Sequence, residues 1–397
     1  MATSPDRHRW LMLAIGLFAT LCANVFINGV AFLIPTLQGD FGIDLAGAGL
    51  ISAMPSFGMV LTLVGWGYVV DRVGERLVLA LGSALTALAG LAAALAHLTV
   101  HSLVAVGAFL FLGGMAAASS NSASGRLVVG WFPPDQRGLA MGIRQTAQPL
   151  GVALGALVIP RLASSHGVGI ALLFPASECA LAAVVCATAV IDPPRMPRDE
   201  APAQDLANPY RGSHTLWRIH AMSVLLVVPQ VVVWTFALVW LTTERGWSSI
   251  SAGALVGGAQ VLGALGRIGA GRWSDRVGSR LRPIRFIAGA AGASMALLAL
   301  TDALGSDWSV MVMIVASVVT VSDNGLAFTA IAEIAGPFWS GRALGTQNTS
   351  QLLTAGATAP AFGALISAAG YPVAFAVCAL LPVLAIPLVP NEIKDAP

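Results

Sequence analysis

Four ionisable side chains lie inside long apolar stretches of this sequence: Glu178, Asp323, Arg144 and Arg267. A charged side chain at the centre of a membrane-spanning helix costs about 2.5 to 3.5 kcal/mol on insertion scales, so such residues are candidates for function. A carboxyl group in an apolar setting can take up and release a proton. Asp323 is our first candidate for proton coupling, the alternative being an ion pair or a capped kink in the helix. Glu178 is the second, the alternative being a pairing with a neighbouring polar group or a side chain that extends outward to the interface.

The two arginines have a different chemistry. A guanidinium group stays charged at any working pH and can bind a carboxylate or a nitrate-like oxyanion through two parallel hydrogen bonds. Arg144 stands at helical spacing from Gln148, Gly151 and Gly155, which predicts one polar, closely packed helix face. We therefore expect Arg144 and Arg267 to contact substrate. The alternative for Arg267 is that it only braces an aspartate two turns later.

Uncharged polar residues recur in the same apolar stretches. Any one of them could equally form a hydrogen bond between helices. The candidates for a polar cavity wall are Asn24, Asn28, Asn121, Gln148, Gln230, Gln260, Asn324, Gln347 and Asn348.

Composition places these residues in a membrane protein. The 397 residues are 56% hydrophobic and 10% charged, and the mean hydropathy is +0.80, whereas soluble domains are about 25% charged. A net charge of +2 with dispersed arginines excludes a nucleic-acid partner. The four cysteines show no metal-ligand spacing, and His97 and His101 are interpreted as ordinary connector histidines, so we expect no metal and no cofactor.

The positioning elements are apolar segments long enough to cross a bilayer core about 30 Å thick, which takes roughly 20 residues per helix. Twelve such segments predict an all-α membrane protein. They are Leu11–Pro35, Leu50–Val70, Leu77–Ala96, Leu103–Val129, Ala140–Ile159, Val168–Ile191, Ile219–Leu241, Ala252–Trp273, Ile284–Leu300, Val310–Ala332, Leu344–Ile366 and Pro372–Val389.

The one long polar segment, residues 192–218, is interpreted as a cytoplasmic linker between two six-helix bundles, residues 1–191 and 219–397. Basic residues near span ends resist translocation. If the N-terminus is cytoplasmic, Arg161 and Arg245 are the only arginine or lysine residues near span ends that fall on the outer side of the membrane. The sequence therefore predicts that both termini are cytoplasmic.

An internal repeat supports the two bundles. The loop after the second span reads GYVVDRVGER from Gly67 to Arg76, and the loop after the eighth reads GRWSDRVGSR from Gly271 to Arg280. Arg137-Gly-Leu and Arg342-Ala-Leu, which open the fifth and eleventh spans, have nearly the same separation. Two unrelated landmarks with one offset indicate a duplicated six-helix unit. The repeated residues are Gly67, Asp71, Arg72, Gly74 and Arg76, and Gly271, Asp275, Arg276, Gly278 and Arg280.

The pattern G-x-x-x-D-R-x-G-x-R in both loops resembles the signature loop of the major facilitator superfamily, and the six-plus-six repeat extends the resemblance over the whole chain. The resemblance implies two rigid bundles that bind a substrate between them and rock to expose it to each side in turn. It also implies that the loop residues latch the cytoplasmic gate. In this superfamily the first, fourth, seventh and tenth spans line the cavity. The resemblance further leads us to expect a monomer in the bacterial inner membrane that has no enzymatic activity.

The substrate class rests on shorter segments. Residues 137–160 and 263–278 resemble the bacterial cyanate, nitrate and organic-anion porters of that superfamily, which favours a small anion. The departures are a second span without arginine and Gly263 where monocarboxylate porters have an aspartate. A proton-driven multidrug antiporter is the runner-up, although Gln148-Pro149 stands in place of its Gly-Pro pair. A transport-dead sensor is the third alternative, for which we would expect an appended cytoplasmic domain.

Overall fold

The computed structural model describes residues 5–391 of the chain. Within that range the ordered elements are helices, with no β-strand. The first half contains α1 Pro5–Gly29, α2 Ile34–Phe41, α3 Leu45–Val73, α4 Glu75–Leu95, α5 Leu103–Ala117, α6 Ser119–Trp131, α7 Arg137–Arg144 and α8 Ala147–Ala189. The remainder contains α9 Ala203–Leu206, α10 Pro209–Gly212, α11 Thr215–Thr243, α12 Ser249–Val277, α13 Leu281–Ala303, α14 Trp308–Val319, α15 Asn324–Ala335 and α16 Ser340–Ala385.

Ten helical runs in the described part of the chain are long and apolar enough to cross a membrane. Two of them, Pro134–Ala189 and Ser340–Leu388, are too long for one crossing of about 20 residues. Each is divided by a glycine with positive φ, Gly167 at 82° and Gly370 at 81°. The twelve predicted spans and the all-α membrane fold are confirmed. The predicted cytoplasmic location of the termini rests on ends, residues 1–4 and 392–397, that lie outside the described range.

Two compact units make up the chain. The first contains residues 1–132, 146–207 and 335–346, and the second contains residues 133–145, 208–334 and 347–397. Each unit thus combines one half of the sequence with a short segment from the other half. The division into bundles 1–191 and 219–397 stays a prediction.

Helix ends in both units follow local sequence signals. Asp44 begins α3 by accepting a hydrogen bond from the Gly47 N–H at 2.8 Å, and Ser248 begins α12 by accepting one from Ser251 at 3.2 Å. Gly278 ends α12 in the left-handed conformation, φ 64°. The linker residue Asp192 accepts from the first backbone N–H groups of α4, at 2.8 and 2.7 Å. Its carboxylate therefore sits where a helix N-terminus favours negative charge.

Separate apolar cores hold the units. Phe26, Leu79 and Leu110 belong to the core of the first unit, and Trp240 and Phe375 to that of the second. Many large apolar side chains remain exposed on the helix surfaces, as expected of a surface that contacts lipid. All four cysteines are buried, in agreement with a packing role.

Candidate functional site

Asp323 occupies a break in the tenth span. Helix α14 ends at Val319, α15 begins at Asn324, and the residues between them are turns. The Asp323 side chain is buried, with the residue 2% exposed, and its Oδ2 atom has no hydrogen-bond partner. A buried carboxylate oxygen without a partner is costly, so such atoms are rare unless they have a role.

Arg267 lies on α12 of the same unit and is also buried, at 3% exposure. Its Nη1 donates to the carbonyl oxygen of Gln145, just past the end of α7, at 3.3 Å, while its Nε has no partner. Arg267 and Asp323 are close enough to interact electrostatically, yet they form no ion pair within 4 Å. Arg267 Nε and Asp323 Oδ2 are therefore both buried without a hydrogen-bond partner, on two side chains of opposite charge that interact electrostatically.

The alternative role for Arg267, bracing Asp275, is not what its contacts show. The Asp275 carboxylate accepts from the N–H groups of Gly138 and Leu139 at 2.9 and 2.8 Å and pairs with Arg280 at 2.5 Å. Arg267 is absent from that set. The backbone at Arg267 packs closely against α7, since a Cβ on Gly142 would lie 2.6 Å from the Arg267 carbonyl oxygen.

A chain of amides adjoins Asp323. Asn324 Nδ2 donates to Gln230 Oε1 at 2.9 Å, and Gln351 Nε2 lies 3.4 Å from Asn324 Oδ1. Gln230 and Gln260 line one cleft together with Trp234 and Thr320. The empty volume of this cleft, with its open mouth included, is about 320 Å³. Three predicted polar residues, Gln230, Gln260 and Asn324, are thus brought together.

Gln347 belongs to a different group. The His220 Nδ1 atom lies 2.7 Å from Gln347 Oε1, and His220 Nε2 lies 3.0 Å from the Tyr210 hydroxyl. Sequence reasoning missed His220, whose position near the start of a predicted span could have marked it. Asn348, the next residue, is half-buried.

Arg144 ends α7 and is 2% exposed. Its Nη1 lies 3.9 Å from the Met141 sulfur. Gln145 and Thr146 form a turn between α7 and α8, and Gln148 is exposed on α8, so the polar face shared by Arg144 and Gln148 stays a prediction. The glycines of that face pack against α1, where a Cβ on Gly151 would lie 2.8 Å from the Asn24 Cβ.

The remaining candidates lie in the first unit. Asn28 and Asn24 form a ladder along α1, donating to the carbonyl oxygens of Asn24 and Thr20 at 3.1 and 2.8 Å. Asn121 Nδ2 lies 3.7 Å from the Met59 sulfur. Glu178 is half-buried and its Oε2 has no described partner.

The signature loop of the first unit holds the N-terminus of α16. Asp71 accepts from the N–H groups of Gly341 and Arg342 at 2.8 and 3.1 Å, and also pairs with Arg126. Arg126 Nε lies 2.8 Å from Glu75 Oε1. Position 67 requires glycine, because a Cβ there would clash with the Gly341 carbonyl.

In the second unit, the equivalent loop holds the N-terminus of α7. Arg280 joins Asp275 to Glu333 on α15, and Arg137 lies 3.4 Å from the same Glu333. Burial lowers the pKa of the Arg280 guanidinium, but the Glu333 and Asp275 carboxylates outweigh that effect and leave the pKa above its usual value. Sequence reasoning missed Arg126, Glu75 and Glu333, although each is a charge within or beside a predicted span.

The other loop residues are placed as follows. The Arg72 guanidinium lies 4.5 Å from the Tyr68 ring centroid, and Arg76 Nε donates to the Ala187 carbonyl at 2.9 Å. Gly74 has φ 99°, a conformation that L side chains rarely adopt. Arg276 is exposed and has no side-chain partner among the described residues.

The sequence profile of the Major Facilitator Superfamily matches residues 16–359. The chain belongs to this superfamily. An uncharacterized MFS-type transporter of Mycobacterium tuberculosis H37Rv is 59% identical over 382 residues, covering 96% of this chain and 85% of that protein. The superfamily assignment makes this chain a multi-pass membrane transporter rather than an enzyme.

More distant relatives and solved structures agree with that assignment. A probable nitrate/nitrite transporter of M. tuberculosis, NarK2, is 27% identical over 300 residues, covering 74% of this chain and 73% of that protein. The Escherichia coli fucose:proton symporter FucP has the same fold, with a TM-score of 0.74 and 17% identity over 96% of this chain and 98% of that one.

Proposed function

We propose that this MFS transporter moves a small anion, together with a proton, across the bacterial inner membrane by alternating access. The proposal depends most on Arg267 and Asp323, two buried and opposite charges that interact without forming an ion pair. Keeping two such charges inside a membrane costs free energy, unless a ligand pairs with the arginine or a proton neutralises the aspartate during the transport cycle.

The two groups suggest how proton and anion are coupled. A bound anion would supply the acceptor that Arg267 Nε lacks, because a guanidinium matches planar oxyanions. An ionised Asp323 would repel that anion, whereas a protonated Asp323 would not. Each ligand therefore favours binding of the other, so the form that carries both is favoured over the forms that carry one.

Two further observations support the choice of substrate and cycle. The NarK2 relative, whose name assigns it nitrate and nitrite, supports an anion. The Asp71 and Asp275 carboxylates each hold the N-terminus of a helix distant in sequence. In our proposal these contacts are latches that break and re-form as access alternates.

The substrate class can be tested by thermal stability of the detergent-purified protein. We expect nitrate or small carboxylates to raise the melting temperature, and Arg267→Gln to weaken the apparent affinity at least about 10-fold, equal to 1.4 kcal/mol. Arg211→Gln, which changes an exposed linker arginine, is the matched control. Stabilisation by hydrophobic cations in place of anions would favour the multidrug antiporter.

A further inference from the structure

Helices α12 and α13 carry a basic and aromatic surface that the transport proposal does not use. It consists of Arg272, Trp273 and Arg276 on α12 and of Arg282 and Phe286 on α13, all of them exposed. Spacings of three and four residues place the α12 members on adjoining positions of one helix face. The Trp273 and Phe286 rings join the two helices, with centroids 6.0 Å apart.

The exposed face of α12 changes character along its length. Val261, Leu262 and Leu265 are exposed apolar side chains, at 63%, 47% and 58%. Arg272 lies about 10 Å beyond Leu265 along the axis, at 1.5 Å per residue. Exposed aliphatic residues suit lipid tails, and tryptophan and arginine suit the interface above them.

Two of the three arginines on this surface, Arg272 and Arg276, are not paired with a charge among the described residues. Neither Arg272 nor Arg276 has an ion pair or a side-chain hydrogen bond with any residue the structure describes. The nearby carboxylates are engaged elsewhere, since Asp275 and Glu333 both bind Arg280. The surface therefore presents two guanidinium groups, Arg272 and Arg276, without a carboxylate partner among the described residues, near the end of a span that closes at Val277.

We propose that this surface binds the phosphodiester headgroup of an anionic phospholipid, with Arg272 and Arg276 on the phosphate and Trp273 and Phe286 against the upper acyl chain. The lipid would belong to the leaflet on the side of the Asp275 loop. A guanidinium group and a phosphate form strong, charge-assisted hydrogen bonds, and basic residues at a helix end attract anionic lipid. The first unit offers a poorer site, because the Arg76 guanidinium is occupied by the Ala187 carbonyl and Arg72 lies over Tyr68.

Binding can be measured by native mass spectrometry of delipidated protein titrated with phosphatidylglycerol, or with phosphatidylcholine of the same acyl chains. We expect the wild type to prefer phosphatidylglycerol at least about 10-fold, and R272Q/R276Q to lose that preference. The control R7Q/R211Q removes the same charge from two other exposed arginines and should retain it.

Two more variants separate the contributions of charge and shape. R272K/R276K should keep most of the preference, because it keeps the charge. Phe286→Ala should weaken both lipids by a similar factor, because it removes an acyl contact and no charge. The site is refuted if R272Q/R276Q keeps the wild-type preference, or if R7Q/R211Q loses it equally.

Discussion

Arg342 donates twice to one oxygen of Asp71: its backbone N–H lies 3.1 Å from Asp71 Oδ2, and its side-chain Nε lies 2.9 Å from the same atom. The guanidinium is also stacked 3.5 Å from the centroid of the Trp339 ring. The planar group is thus fixed by a hydrogen bond on its edge and by an aromatic face. Arg342 is therefore held to the Asp71 carboxylate through both its backbone and its side chain, and in our proposal it helps to close the latch of the first unit.

Weakening that latch should loosen the N-terminal turn of α16. The four native cysteines are buried, so a cysteine introduced at the half-buried Thr346 is the main site for a maleimide. We expect Arg342→Ala to speed its labelling several-fold, because the turn loses a charge-assisted contact. Arg211→Ala is the control, and equal labelling rates in the two backgrounds would contradict the latch.

Glycine at the crossing of α7 and α12 should be indispensable. A Cβ on Gly271 would clash with the Gly138 carbonyl, whereas one on Gly257 of the same helix meets nothing within 4 Å. We expect Gly271→Ala to destabilise the protein by about 1 to 3 kcal/mol through overpacking. Gly257→Ala should leave the melting temperature unchanged or raise it, because alanine favours helix. A similar loss for both would point to a general effect of α12.

The charges around Arg126 should show rescue. Asp71 and Glu75 have fully buried side chains, and Arg126 contacts both. Removing one member of a buried pair commonly costs about 3 to 5 kcal/mol, so Arg126→Gln should lower the melting temperature strongly. Adding Glu75→Gln neutralises one uncompensated acid and should restore part of the loss. An R126Q/E75Q protein less stable than R126Q alone would argue against the network.

The contribution of Arg280 should not depend on pH between 6 and 9. Its folded-state pKa is raised above the usual arginine value, so the stability it adds is fully present below the unfolded pKa and is lost only as a strongly alkaline pH passes through the folded pKa. The melting-temperature difference between the wild type and Arg280→Gln should therefore be the same at pH 6 and pH 9. A difference that shrinks at pH 9 would contradict this assignment.

Much of this architecture was predictable because hydropathy and the repeat are local signals. The twelve spans follow from apolar length, and the Gly-Asp-Arg loops follow from their recurrence. The interruptions at Gln145–Thr146 and Thr320–Asp323 were not predictable, since neither segment contains the proline or glycine that usually marks a break.

The partners of Asp71 and Asp275 could not be predicted from the sequence either. The loop pattern indicates a carboxylate at a helix N-terminus, but it does not say which cation completes it. In one unit the cations are Arg126 from α6 and Arg342 from α16, and in the other the cation is Arg280 from the loop itself. Contacts between residues so far apart in sequence depend on packing, which no local spacing reports.

The coupling role of Asp323 can be tested by comparing exchange with gradient-driven uptake by Asp323→Asn, in proteoliposomes loaded with an anion that stabilises the protein. We expect the variant to exchange labelled anion across the membrane but no longer to accumulate it in response to a pH gradient. The wild type and Asp199→Asn, an exposed linker control, should do both. Gradient-driven accumulation by Asp323→Asn at the wild-type rate would contradict the claim that this buried carboxylate couples proton and anion.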